Sequence, residues 1–139
     1  MDKLFIDTNV LLDYLAARAP FDQDAKSLID LAETGRVEIV FSALSICNIS
    51  YILKKIAPLL PIKQTLDTLV DAFDVTNIDA FVLNDALNSA FPDFEDAVQY
   101  FSAVRHGGVT HIVTRNISDF SGSALPVLSP SDYLAMLQP

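Results

Sequence analysis

Short runs of strand-forming residues alternate with longer stretches of helical spacing from one end of this sequence to the other. Residues 4–6, 37–41, 73–76, 109–114 and 127–128 are brief, apolar and rich in β-branched or aromatic side chains. Between them apolar residues recur every three or four positions, which predicts helices over 10–17, 22–32, 43–56, 62–72, 78–88 and 94–105. A final helix is expected to run to about Leu137, with Ser131 or Asp132 as its cap. Strands separated by helices cannot pair through tight hairpins. They lie parallel, and the helices must cover both faces of the sheet. The expected fold is therefore α/β, a single domain over residues 1–139 with a central, mainly parallel sheet between two helical layers.

Size and composition support one domain. A chain of 139 residues buries roughly two-thirds of its unfolded surface, enough to fold without a disulfide or structural metal. The single Cys47 sits between Ile46 and Asn48 and reads as a buried free thiol. Hydrophobic residues make up 51% of the chain, yet no apolar run approaches the roughly 18 residues of a membrane span. The first residues are those of a core strand, so a soluble cytoplasmic protein is expected. Net charge is −9, which opposes unassisted contact with nucleic acid. After Lys63 the only Lys or Arg residues are Arg105 and Arg115.

The chemistry-bearing residues stand where strands give way to helices. The run Leu4-Phe5-Ile6 ends abruptly in Asp7, at the carboxyl end of a buried strand, where open α/β sheets hold their sites. Such a carboxylate serves as metal ligand, proton acceptor, nucleophile or helix cap, and the remaining polar residues must decide between these. Asp13 shares a helix face with Asn9 and reads first as a solvated position, with a lean toward Asp7 as the alternative. In the third helix Leu44, Ile49, Ile52 and Ile56 form the apolar arc, and Asn48 falls inside it. An inward amide needs a backbone partner or a polar pocket.

Farther along, Asp93 is placed to cap the helix over 94–105, whose expected buried side is Phe94, Ala97, Val98, Phe101 and Val104. Asp96 lies at the rim of that side and Glu95 points to solvent. Asp96 reads either as a first-turn carboxylate favourable to the helix dipole or as a site residue. The strand over 109–114 runs into Arg115-Asn116-Ile117-Ser118-Asp119, giving Asn116 and Asp119 the same topological address as Asp7. Each is also a residue type that turns favour for their own backbone.

If Asp7, Asp96 and Asp119 converge, they repel one another unless a cation or protons intervene. Oxygen donors without a paired His or Cys site favour Mg²⁺ or Mn²⁺ over zinc. Such an ion activates water against a phosphodiester, and no protein nucleophile is needed.

Three segments together resemble the PIN domain, in its bacterial branch similar to VapC-type toxin ribonucleases. They are Leu4-Phe5-Ile6-Asp7-Thr8-Asn9-Val10-Leu11-Leu12-Asp13, Asp93-Phe94-Glu95-Asp96-Ala97-Val98-Gln99-Tyr100 and Thr114-Arg115-Asn116-Ile117-Ser118-Asp119-Phe120. The resemblance implies a Rossmann-like sheet and Mg²⁺- or Mn²⁺-dependent cleavage of RNA. It carries over Asp7, Asp96 and Asp119 as acidic site residues, Asn116 as a polar one, and Thr8 and Asn9 as close neighbours. It also implies a homodimer and a separate antitoxin protein. One departure stands out: the family's usual glutamate after the second strand is matched here by Asn48, which brings no charge and cannot act as a base.

Two function classes follow. One is a metal-dependent ribonuclease, the toxin of a toxin–antitoxin pair, whose RNA contacts draw on a local basic patch from Arg18, Lys54, Lys55, Arg105 and Arg115. Arg115 is the best placed, with a surface arginine paired to a nearby acid as its alternative reading. The other is a PIN-like module with little catalysis that binds RNA or protein, which Asn48 and the acidic balance favour. Phosphatases built on a first-strand Asp-x-Asp fit worse, because Asn9 takes the second place and no lysine follows Lys63. A dinucleotide site would need a glycine-rich first turn, which this chain lacks.

Overall fold

The computed structural model describes residues 1–138. Five strands, β1 (Lys3–Ile6), β2 (Glu38–Ser42), β3 (Asp74–Thr76), β4 (His111–Val113) and β5 (Val127–Leu128), form one sheet in the order β3-β2-β1-β4-β5, and every pairing is parallel. Seven helices connect and cover them: α1 (Thr8–Leu15), α2 (Asp22–Glu33), α3 (Ala43–Ile56), α4 (Ile62–Ala72), α5 (Ala80–Leu87), α6 (Phe94–His106) and α7 (Pro130–Met136). The expected α/β architecture is present, and α4 matches its sequence reading residue for residue. Among the described residues no helix is long and apolar enough to cross a membrane.

Period-two alternation along the strands divides the core. Leu4, Ile6, Ile39, Phe41 and Val113 face one layer, where they meet Val10, Leu11, Leu28, Ile29 and Tyr133. Phe5, Val40 and Ile112 face the other, against Tyr100 and Ala103 of α6. Complete burial of each large apolar side chain stabilises the fold by about 1.5–3 kcal/mol, so a one-residue register slip would expose much of the core.

The strand order reverses direction between β1 and β4. From β1 the chain moves to β2 and β3 on one side, then returns across to β4 and β5 on the other. Such a switch point opens a crevice at the carboxyl ends of its two central strands. The β1–β4 register pairs Ile6 with Val113, and the Asp7 N–H donates to the Val113 carbonyl at 3.0 Å. Asp7 and the segment after Thr114 therefore lie side by side at the crevice.

Two helical faces are turned from their expected positions. In α6, Phe94 and Val104 are 46% and 45% exposed, while Gln99, Tyr100 and Ala103 are buried. The helix serves two neighbours at once: Tyr100 and Ala103 pack on the sheet, while Ala97 and Val98 meet Val82 and Ala86 of α5. In α3 the inward row is Ser45, Ile49 and Leu53 at i, i+4 spacing, and Ile56 is exposed. Cys47 consequently points outward, and its thiol is exposed rather than buried. The last helix starts two or three residues earlier than expected, because Ser129 accepts from the Asp132 N–H at 3.1 Å and so acts as the cap.

Candidate active site

A cleft of ≈ 390 Å³ opens at the switch point and draws on four parts of the chain. Asp7, Thr8 and Asn9 come from the end of β1 and the start of α1. Asn48, Tyr51 and Ile52 come from α3, Glu95, Asp96 and Gln99 from α6, and Asn116 and Asp119 from the loop after β4. The three predicted acids and both predicted asparagines thus line one cavity, together with Thr8 and Asn9.

Asp7 is the most constrained of them. It caps α1, and only 7% of its surface is exposed. One carboxylate oxygen accepts from the Thr8 N–H at 2.8 Å, and the other accepts from the Thr114 hydroxyl at 2.8 Å. Thr114 in turn accepts from the Asn116 N–H at 3.0 Å, which ties the β4 loop to the acid it faces. Burial raises the Asp7 pKa above its ordinary value, with repulsion from Asp119 adding to it. The Thr114 and Thr8 hydrogen bonds and the charge of Arg115 act in the opposite direction.

Asp96 is placed by its own helix start. Asp93 caps α6 by accepting from the Asp96 N–H at 3.0 Å, leaving the Asp96 side chain half-buried and facing the cleft. Its pKa is pushed up to about 7, first by burial and then by Asp93, Asp119, Asp7 and Glu95. Asp119 is exposed on a 3₁₀ turn, Ile117–Phe120, whose Asp119 N–H donates to the Asn116 carbonyl. Glu95 is exposed as expected, yet it also borders the cleft and adds a fourth carboxylate.

Among the described residues no lysine, arginine or histidine lines this cavity. Carboxylates gathered without a cation hold protons more tightly, as Asp96 does, and an oxygen-rich donor set of this kind suits a hard divalent ion. Among the described residues no three His, Cys, Asp or Glu side chains close around a common point. The all-oxygen donor set fits an ion that keeps part of its water shell and takes one or two carboxylates directly, as Mg²⁺ does, better than structural zinc.

Beneath the cleft floor lies a hydrogen-bonded network that the sequence reading missed. Gln99 is 4% exposed; its carbonyl accepts from the Ser42 hydroxyl at 2.6 Å, and its amide donates to the Thr8 hydroxyl at 3.1 Å. Thr8 and Ser45 hydroxyls lie 2.7 Å apart. This network joins the starts of α1 and α3 to α6, which fixes the helices carrying Asp7, Asn48 and Asp96 relative to one another. Its polar residues are so far apart in the chain that only the packed fold reveals the network. The one available signal was Gln99 itself, an amide three residues after Asp96 on the same helical side.

Of its two readings Arg115 takes the paired one, outside the cleft. Its Nε donates to Asp13 at 2.7 Å, and its guanidinium carbon lies 3.9 Å from the centroid of the Phe21 ring. It lines a separate cavity with Ser129 and Ser131. Asp13 is neither solvated nor turned to the cleft: it is 1% exposed and bridges Arg115 and Arg18, the latter at 2.9 Å. A buried carboxylate requires such partners, and it holds Arg115 away from the cleft.

The family model described as PIN domain matches residues 3–118. The chain belongs to the PIN domain family. No curated protein matches the sequence. Among solved structures, this PIN domain is similar to a toxin–antitoxin complex from Klebsiella pneumoniae, with a TM-score of 0.68 and 22% identity over 91% of this chain and 97% of that one. It is also similar to VapBC2 from Rickettsia felis bound to a promoter DNA fragment, with a TM-score of 0.63 and 15% identity over 91% and 97%. A third is VapC20 from Mycobacterium tuberculosis, a toxin that cleaves the sarcin–ricin loop, with a TM-score of 0.61 and 15% identity over 78% and 86%. At these identities the likeness is one of fold.

Proposed function

We propose that this PIN domain, acting as a single unit over residues 1–139, is a metal-dependent ribonuclease that hydrolyses RNA phosphodiesters with water as nucleophile. The observation that carries this reading is that Asp7, Asp96 and Asp119 line one cleft at the β1–β4 switch point, with no Lys, Arg or His in its lining among the described residues. One or two of these acids would hold Mg²⁺ or Mn²⁺ directly and the rest through its water shell, and the ion when bound supplies Lewis acidity toward water and phosphoryl oxygens.

The chain's own residues do the rest. Thr114 and the Thr8 N–H fix both oxygens of Asp7, so its carboxylate faces the cleft in one orientation. Asp96, with a pKa of about 7, exchanges its proton with solvent near neutral pH and so presents either protonation state to an arriving ligand. Asn48 and Asn116 offer neutral amides that hydrogen-bond water or phosphate oxygens without adding charge. Gln99 holds the Thr8 hydroxyl, keeping the start of α1 fixed against α6.

The family and the fold shared with toxins of toxin–antitoxin complexes support the finer reading: a VapC-like bacterial toxin that acts in the cytoplasm as a homodimer and is held by an antitoxin protein. A second reading keeps the PIN domain but makes it a weakly catalytic module that binds RNA or protein. Asn48 favours it, because an amide at the family's usual glutamate position weakens the hold on a cation.

The test is cleavage of single-stranded RNA in Mn²⁺ or Mg²⁺ by the wild type and Asp7→Ala. Cleavage that disappears with EDTA and in the variant is the expected result. A variant as active as the wild type overturns the nuclease reading, and RNA bound but not cut selects the second one.

A further inference from the structure

The cleft is acidic and the whole protein carries −9, so an RNA strand needs local cations and a surface for its bases. The cations are unevenly committed. Of the nine Lys and Arg residues, Lys3, Arg18, Lys26, Arg105 and Arg115 are paired with carboxylates. Among the described residues, Arg36, Lys54, Lys55 and Lys63 have no such partner. Lys54 and Lys55 are neighbours in the last turn of α3, the helix that contributes Asn48 to the cleft.

One turn before them stands Tyr51. It lines the cleft and is 63% exposed, unusual for a large aromatic side chain beside four carboxylates. Lys55 lies 4.3 Å from the centroid of its ring and donates to its hydroxyl at 2.8 Å, which holds the ring in place. Asn48, Tyr51 and Lys55 follow one another at i, i+3 and i+7 along a single side of α3. The result is a strip that leads out of the acidic cleft as amide, aromatic ring and cation.

We propose that Tyr51, with Lys54 and Lys55, is the stacking platform for a base of single-stranded RNA next to the phosphate held in the cleft. The proposal rests on the ribonuclease reading for its ligand. The exposed ring accepts a base face of any sequence, and the two ammonium groups offset the cleft's repulsion of the adjoining phosphates. In A-form duplex RNA the base faces are already stacked, so the platform selects single strands.

A second exposed pair serves as the control. Phe81 of α5 is 67% exposed under Arg105, at 5.3 Å, but it lies outside the cleft and its arginine is tied to Asp85. The experiment measures fluorescence anisotropy of a labelled, single-stranded 2′-O-methyl oligoribonucleotide in Ca²⁺, with cleavage of the matching RNA followed in Mn²⁺. Tyr51→Leu is expected to weaken binding roughly 5- to 150-fold, the cost of one base–aromatic stack. Tyr51→Phe loses less, Phe81→Leu binds as the wild type does, and Lys54→Gln combined with Lys55→Gln flattens the salt dependence. Affinity for a duplex of the same sequence does not respond to Tyr51→Leu.

Tyr51-dependent binding without cleavage supports the platform while overturning the nuclease. Cleavage and binding unchanged in Tyr51→Leu overturn the platform and leave the nuclease standing. A wild type that neither binds nor cuts RNA overturns both. A Tyr51→Leu change confined to the oligomeric state makes this side a contact between copies and overturns the platform.

Discussion

Two sets of acids at the opposite ends of α1 meet the same electrostatic problem in opposite ways. Asp13, near its carboxyl end, is 1% exposed and is satisfied by Arg18 and Arg115. Asp7, its cap, is 7% exposed and shares its cavity with Asp96, Asp119 and Glu95, where no cation lines the wall. The first arrangement is complete within the chain. The second is electrostatically unfinished: burial first, and then the neighbouring acids, push the Asp96 pKa up to about 7. The contrast separates an acid that holds the fold together from acids kept ready for something the fold does not supply.

Breaking the completed cluster is expected to have the largest effect on stability. Asp13→Ala leaves two arginines facing each other without their carboxylate and costs about 3 kcal/mol. Chemical denaturation of the purified variant reads this directly, and a loss within about 0.5 kcal/mol would mean that solvent already compensates the arginines.

A smaller effect sharpens the other side of the comparison. Between about pH 4 and 7 the folded state keeps a proton on Asp96 that the unfolded chain has released, so stability falls as pH rises through that window. Burial of Asp7 acts in the same direction. In Asp96→Asn this slope is expected to become shallower, measured as unfolding free energy at a series of pH values without divalent metal. An unchanged slope would mean that neither burial nor the neighbouring acids raise the Asp96 pKa.

Much of the site was legible because its residues sit at boundaries that local chemistry defines. Asp7 ends an apolar run, Asp93 caps a helix, and Asn116 and Asp119 follow a strand, so topology alone sends Asp7, Asn116 and Asp119 to one edge of the sheet. What was not legible depends on which neighbour each helix meets. The spacing of α6 predicts one buried side, whereas α5 and the sheet compete for it, leaving Phe94 and Val104 exposed. The apolar neighbours of Cys47 predict a buried thiol, although the row of Ser45, Ile49 and Leu53 faces inward and turns it to solvent. Thr114 reaches Asp7 across 107 residues of sequence, and Arg115 pairs with Asp13 across 102. Such pairings are products of the β1–β4 register and leave no local trace.

The most direct measurement is thermal melting during titration with Mn²⁺ and with Mg²⁺, on the wild type and Asp7→Ala. An ion that binds only the folded cleft stabilises it by about 2.7 kcal/mol at a hundred times its dissociation constant, a shift of several degrees. The wild type is expected to shift and the variant to stay in place. Equal shifts in both, or none in the wild type at millimolar metal, would contradict the view that these acids await a cation.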